Sequence, residues 1–239
     1  MSILTRRFDA VLFDAGGVLV VPDPYQTVIA LSPFGATLDP ERHVRAHWAG
    51  LAALEGGVGV DDQRTIEGVD WTPYRHAFAT TVQVPPERLA DAVAAFRLMF
   101  SPLIWTHPLA ESIAALDRLH RAGVSMGVVS NADGQIEHTL RNRGVCQVGP
   151  GAGVPVSCVI DSHVVGVAKP DPRIFDGALA ALGLPAERVA YVGDSVINDI
   201  GGATKAGLVP LLFDPHDDRA HLTGIERLRS LHELVAFVR

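Results

Sequence analysis

GDSVIND (193–199), read with VLFDAGG (11–17), decides the fold. Each is an apolar run that ends on an aspartate and then turns through glycine or serine. One stands near each end of the chain. Two such runs predict two buried strands whose carboxylates meet at one sheet edge. Asp14, Asp194 and Asp199 would then form a site for a hard divalent cation and for phosphate chemistry.

The segments between them are consistent with that sheet. The pattern predicts strands over 8–13, 124–130, 156–160, 188–193 and 208–213. It predicts helices over 109–122, 134–143, 172–182, 196–206 and 231–238, with Gly123 and Gly183 as stops. Alternation of this kind builds a parallel sheet with helices on both faces, and ligands bind beyond the carboxyl ends of the strands. Asp14, Ser130 and Asp194 all fall at such ends. Residues 22–108 differ in character. Prolines stand at 22, 24, 33, 40, 73, 85 and 86, the segment around Gly56 reads EGGVGVDD, and helical patterns run over 41–54, 71–81 and 86–100. This stretch reads as an inserted helical domain. The fold class is therefore α/β, a Rossmann-like doubly wound parallel sheet (1–21 and 109–239) with a smaller α-helical cap (22–108).

The 239 residues are 48% hydrophobic and 20% charged, the composition of a soluble globular chain. The net charge of −7 argues against a nucleic-acid or anionic-membrane partner. No apolar run is long enough to span a bilayer, and the N-terminus reads as a strand, not a signal peptide. The two cysteines, Cys146 and Cys158, fit free thiols in the cytoplasm. A monomer and a homodimer are both left open.

Asp14 reads equally as a turn cap and as a nucleophile or metal ligand. Ser130 and Asn131 can donate to phosphoryl oxygens, or Ser130 can cap the next helix. Lysine occurs only at 169 and 205, so Lys169, in AKPDPRIF, reads as a fixed cation for phosphate and nucleophile. Mg²⁺ prefers carboxylate, carbonyl and water oxygens. Asp14, the Gly16 carbonyl, Asp194 and Asp199 offer such a set, Asp199 directly or through water.

Taken in order, FDAGGVL, VVSN, AKPDPRIF and GDSVINDI resemble the four motifs of the haloacid dehalogenase superfamily, its phosphatase branch with a helical cap after the first motif. The resemblance implies an aspartyl phosphate on Asp14, phosphate binding by Ser130 with Asn131, stabilisation by Lys169, and Mg²⁺ held by Asp14, Gly16, Asp194 and Asp199. The substrate it implies is a small phosphorylated metabolite. One departure matters. Phosphatases of this group usually carry a second aspartate two residues after the nucleophile, as general acid and base. Here that residue is Gly16. A positioned acid–base group contributes roughly 10²–10⁴ in rate. Either the leaving group needs little protonation, or another residue such as Asp23 or a cap histidine reaches in, or the chain binds without turnover. If the acid is missing, Gly16→Asp is expected to raise turnover of esters with poor leaving groups. A metal-independent 2-haloacid dehalogenase is a further alternative, disfavoured because it has no use for the later acids.

Other features read as structural. His43 and His47 (i, i+4) read as a solvated helix face, not a zinc site. The loop GPGAGVP leads into a strand and reads poorly as a phosphate cradle. Trp48, Trp71 and Trp105 read as packing or cap–core contacts. Arg64, Arg75 and Arg97 could meet an anionic substrate but read more simply as exposed helix charges.

Overall fold

The structure is a computed structural model that describes residues 8–56 and 70–238. In chain order, β1 (Ala10–Phe13) and β2 (Val20–Pro22) precede α1 (Pro24–Leu31), α2 (Pro40–Leu54), α3 (Thr72–Thr81) and α4 (Leu89–Met99). Next come β3 (Trp105–Pro108), α5 (Ala110–Arg121), β4 (Ser125–Ser130), α6 (Ile136–Asn142), β5 (Cys146–Val148) and β6 (Val154–Val156). The chain continues through β7 (Val159–Asp161), α7 (Ser162–Val165), α8 (Asp176–Leu182) and β8 (Val189–Gly193). It ends with α9 (Gly201–Lys205), β9 (Val209–Phe213), β10 (Arg227–Leu228) and a 3₁₀ segment, Leu231–Ala236.

The run AVLF of β1 is buried at every position, because it is paired on both edges and covered on both faces. The six strands of its sheet lie in the order β10-β9-β8-β1-β4-β7, and every pairing is parallel. Phe13 is in register with Val128 of β4 and Val192 of β8, so the residues just beyond these strands share one edge. Alternation divides the core. Val11 and Phe13 join Leu116, Leu119, Val128 and Leu211 on one face, while Leu12 joins Val129, Phe175 and Tyr191 on the other. The chain runs outward from β1 through β4 to β7, then returns to build β8 to β10 on the opposite side. The reversal opens a crevice beside β1, where such sheets bind ligands.

The helical segment has its own apolar cluster, which includes Leu31, Ala46, Leu51, Tyr74, Phe78 and Phe96. Phe78 and Phe96 pack with ring centroids 4.8 Å apart. Two helices begin where an aspartate precedes a proline. Asp23 accepts from the Tyr25 and Gln26 amides ahead of α1, and Asp39 accepts from the Glu41 amide ahead of α2. The chain leaves the sheet along β2 and re-enters along β3, and these two strands pair antiparallel.

Several elements differ from the sequence expectation. The strand expected over 156–160 is two strands, of which β6 pairs with β5 and only β7 joins the main sheet. The glycine-rich loop before β6 is pinned by buried Gln147, which donates to Gly153 O (2.9 Å) and accepts from its amide (2.8 Å). The helix expected over 196–206 opens with a π turn, in which the Ile200 amide reaches back to Ser195 O at 3.1 Å. The closing helix is 3₁₀, capped by a reciprocal Ser230–Glu233 box. Short β2, β3, β5 and β10 escaped the pattern because two to four residues carry too little periodicity. Among the described residues, no helix is long and apolar enough to cross a membrane.

Both cysteines are free and buried. Burial pushes the Cys146 thiol up to about 12 and the Cys158 thiol up to about 11. Thiolate, the reactive form, is therefore scarce in the native protein at pH 8. Ellman's reagent at pH 8 is expected to find neither thiol within minutes in the native protein and both in 6 M guanidinium. A rapid native reaction would show that the sheet around them opens.

Candidate active site

Asp14 lies immediately beyond β1. Its amide donates to Val192 O (2.8 Å), and its Oδ1 accepts from the Ala15 amide (2.7 Å). Facing it is Lys169, whose buried Nζ stands 2.9 Å from Asp14 Oδ1 and 2.6 Å from Asp199 Oδ1. The same ammonium donates to the Tyr191 hydroxyl at 2.7 Å. Burial alone would strip Lys169 of its charge, but Asp14 and Asp199 outweigh it and hold the group above the usual lysine range. Asn131 fixes the lysine's backbone from both sides, donating to Lys169 O (2.9 Å) and accepting from its amide (2.7 Å). The Asn131 side chain is thus engaged with the lysine segment, while the residue also lines the cavity at the end of β4. Ser130, at the end of β4, is buried and lines the same cavity.

Asp194 follows β8, and Asp199 returns to it through the π turn. Asp199 Oδ2 accepts from the Ser195 amide (2.9 Å), while its Oδ1 takes Lys169 and the Tyr191 hydroxyl (3.1 Å). One oxygen from each of Asp14, Asp194 and Asp199 lies within 4.8 Å of the other two. Two glycines make this approach possible. A Cβ on Gly17, which has φ +70°, would fall 1.7 Å from Asp194 Oδ2, and one on Gly193 would fall 2.2 Å from Asp199 Cγ.

The three-carboxylate cluster holds one ammonium, paired with Asp14 and Asp199, so it lacks positive charge. The Asp14 carboxyl registers this and is pushed up to about 7. Burial is the main cause, Lys169 opposes it, and Asp199 and Asp194 add to it. A hard dication would supply the missing charge, and the oxygen spacing is near what one ion with ligands at about 2.1 Å can span. Asp199 already accepts hydrogen bonds at both oxygens, so it fits a water-mediated role better than direct ligation.

Sequence reasoning missed what α2 brings. His43 and His47 are buried, not solvated. His43 is a satisfied core residue between Thr27 Oγ1 (2.8 Å) and Thr37 O (2.9 Å). His47 Nε2 lies 2.8 Å from Asp194 Oδ2, and its Nδ1 lies 3.0 Å from the Tyr74 hydroxyl. A carboxylate only accepts, so His47 donates to Asp194 through Nε2. The next residue, Trp48, donates to Gly17 O (3.1 Å). At the helix end, Glu55 Oε1 accepts from Ser195 Oγ (2.7 Å) and the Val196 amide (2.8 Å). Glu55 Oε2 meets Arg219 (3.2 Å), which also donates to Asp194 O (2.5 Å). Burial pushes the Glu55 carboxyl up to about 7, against Arg219 and its hydrogen bonds. The signal was present: 43, 47 and 51 form one face of α2, and that face is buried.

These groups open into a cavity of about 770 Å³. Asp14, Ser130, Lys169 and Asp194 form its polar end; α2, α3, the end of α4 and the segment through Trp105 line one side, and residues of the β4–α6 connection and of the π turn line another. At Gly16 the wall is Trp105, whose ring would stand 3.3 Å from an added Cβ. Asp23 caps α1 and does not line the cavity, so it is not the substitute acid. Trp48 and Trp105 hold the seam as expected. Arg97 is exposed and lines the cavity; Arg75 also lines it but is buried, contrary to expectation. Arg64 lies outside the described residues.

A family model described as haloacid dehalogenase-like hydrolase matches residues 8–207. Among curated relatives, a haloacid dehalogenase-like hydrolase domain-containing protein 3 of Danio rerio is 35% identical over 53% of this chain and 50% of its own length. The phosphoserine phosphatase of Thermus thermophilus is 34% identical over 56% and 52%. The glyceraldehyde 3-phosphate phosphatase of Methanopyrus kandleri is 32% identical over 63% and 65%. The chain thus spans about half to two-thirds of the length of these relatives. Among solved structures, a HAD phosphatase from Thermococcus onnurineus superposes with a TM-score of 0.55 at 23% identity, covering 95% of each chain. A 2-haloacid dehalogenase from Pseudomonas syringae gives 0.51 at 20% identity, covering 95% and 96%. At these identities the structures speak for the fold alone.

Gly17→Ala tests the close approach of the first turn to Asp194. The left-handed φ and the collision together are expected to lower unfolding stability by about 2 kcal/mol or more. Urea denaturation followed by tryptophan fluorescence measures this, and an unchanged midpoint would contradict the packing described.

Proposed function

The chain belongs to the haloacid dehalogenase-like hydrolases, and from that premise we propose that it is a Mg²⁺-dependent phosphatase of a small phosphorylated metabolite. The observation that carries the proposal is the Lys169 ammonium held 2.9 Å from Asp14 beside two further carboxylates. Asp14 attacks phosphorus, and the bond from phosphorus to the leaving oxygen breaks with its electron pair on that oxygen. Water then attacks phosphorus in the aspartyl phosphate, releasing inorganic phosphate and restoring the carboxylate. Lys169 and Ser130 hold the phosphoryl oxygens, with Asn131 contributing through its backbone and keeping Lys169 in place. Asp14, Asp194 and the Gly16 carbonyl would hold Mg²⁺, with Asp199 through water. When bound, the ion disperses charge on the transferring group.

Residues 22–108 act as a cap on a core of 1–21 and 109–239, excluding water and selecting the leaving group. The free thiols fit a cytoplasmic setting. With Trp105 over Gly16 and Asp23 committed to α1, the reading favours a leaving group that needs little protonation, such as an anomeric, acyl or aryl phosphate. Restoring an aspartate at 16 would first require the indole to move. The three-acid cluster favours this reading over metal-free attack on carbon, which gives those acids no task.

Phosphate release from anomeric, acyl and aryl phosphates is expected to need Mg²⁺ and to fall by roughly 10³-fold or more in Asp14→Asn. Metal-independent release, or full activity in that variant, would overturn the proposal. His47 orients Asp194, so His47→Gln is expected to weaken Mg²⁺ binding roughly 10-fold by calorimetry. Unchanged affinity would remove His47 from that role.

A further inference from the structure

The end of the cavity away from Asp14 has a composition that phosphate chemistry alone does not require. Leu51, Leu54, Trp71, Phe100, Leu103 and Trp105 make it apolar and largely aromatic. Into this wall α3 brings Arg75. The residue is only 8% exposed, and its Nε is buried with no hydrogen-bond partner among the described residues. The sole hydrogen bond recorded for its guanidinium among the described residues is from Nη2 to Thr72 Oγ1, at 3.2 Å. No carboxylate among the described residues forms a salt bridge with it; Asp70 acts on it only from a distance. Arg97 lines the same cavity and adds a second positive charge nearby.

A buried guanidinium without a partner is costly. Buried Arg219 also has an Nε without a hydrogen bond, but its charge is matched by Glu55 and Asp214 and it donates to two backbone carbonyls. Arg75 has no such match among the described residues, and it lines the cavity together with Arg97. The guanidinium fork binds planar oxyanions in pairs of hydrogen bonds, and aromatic walls take a flat apolar body.

We propose that Arg75, with Arg97 behind it, is the specificity residue for the leaving group, and that the leaving group is a flat, apolar body bearing its own oxyanion, a carboxylate or a second phosphate. This rests on the phosphatase reading above for the orientation of the substrate. The phosphoryl group takes the Asp14 end, the apolar body lies along Trp71, Phe100 and Trp105, and the second anion pairs with Arg75. A metabolite of this class is supplied by a kinase or phosphotransferase acting on a hydroxylated aromatic acid or its like.

Non-hydrolysable probes test this without turnover. Calorimetry with Mg²⁺ compares 4-carboxybenzylphosphonate and its longer 4′-carboxybiphenylmethyl analogue with their neutral carboxamides, and p-xylylene bisphosphonate covers the second-phosphate case. At least one acid or the bisphosphonate is expected to bind wild type roughly 10-fold or more tightly than the carboxamides, the low end of a charge-assisted bond. That preference is expected to fall below about 2-fold in Arg75→Gln and to return in part in Arg75→Lys, with both variants checked for a native melting profile. The tighter of the carboxylate and bisphosphonate probes identifies the anion. Equal binding of acids, bisphosphonate and amides to wild type, no binding of any probe, or a preference that survives Arg75→Gln would overturn the inference. Phenyl phosphate hydrolysis by wild type reports separately on the phosphatase reading, so either can fail alone.

Discussion

An ammonium buried among carboxylates organises this molecule. Lys169 Nζ sits between Asp14 and Asp199 with Tyr191 as a third acceptor, and its side chain is almost fully removed from water. A buried charge survives only when paired and hydrogen-bonded, and removing one partner of such a pair typically costs about 3–5 kcal/mol. The requirement passes outward. β1 must deliver Asp14, the π turn must bring Asp199 back beside the end of β8, and β4 must supply Asn131 to clasp the lysine's backbone. Gly17 and Gly193 are confined to glycine because carboxylates occupy the space a Cβ would need. The excess of acid over base then makes the same cluster a place for a dication.

The helical segment is bound to this centre by more than apolar contact. Along α2, Arg45 pairs with Asp218 (2.6 Å), His47 with Asp194, Trp48 with Gly17, and Glu55 with Ser195, Val196 and Arg219. One helix therefore touches both sides of the acidic cluster: the turn after β1 and the turn after β8. The cavity takes its polar end from the sheet and its apolar end from the helices. On the proposed reading, chemistry and selectivity are carried by different parts of the chain, and Trp105 stands at the seam where an acid would otherwise be expected.

The sheet and its chemistry were legible because both are written locally. A continuous apolar run that stops on aspartate marks a strand end, and strand ends of a parallel sheet converge. Asp14, Ser130 and Asp194 could be found for that reason, Lys169 because the chain has only two lysines, and Asp199 because it stands in the turn just after a strand end. His47, Glu55 and Arg219 could not, because each is a polar residue whose burial depends on a partner far along the chain, and Arg75 could not because only the fold places it in the cavity wall. On an amphipathic helix such residues look like a solvated face. The pattern 43, 47, 51 gives the register of the buried face but not what lies opposite. Gly16 is the intermediate case: its sequence showed that an acid is missing, and only the packing showed an indole in its place.

The most direct test is ¹⁹F NMR of the protein with beryllium fluoride, a phosphoryl mimic that bonds to a carboxylate oxygen. It needs no knowledge of the substrate. Bound fluorine resonances that require Mg²⁺, persist in Asp23→Asn and vanish in Asp14→Asn are expected. Their absence from the wild type at saturating Mg²⁺, or their survival in Asp14→Asn, would contradict Asp14 as the phosphoryl acceptor.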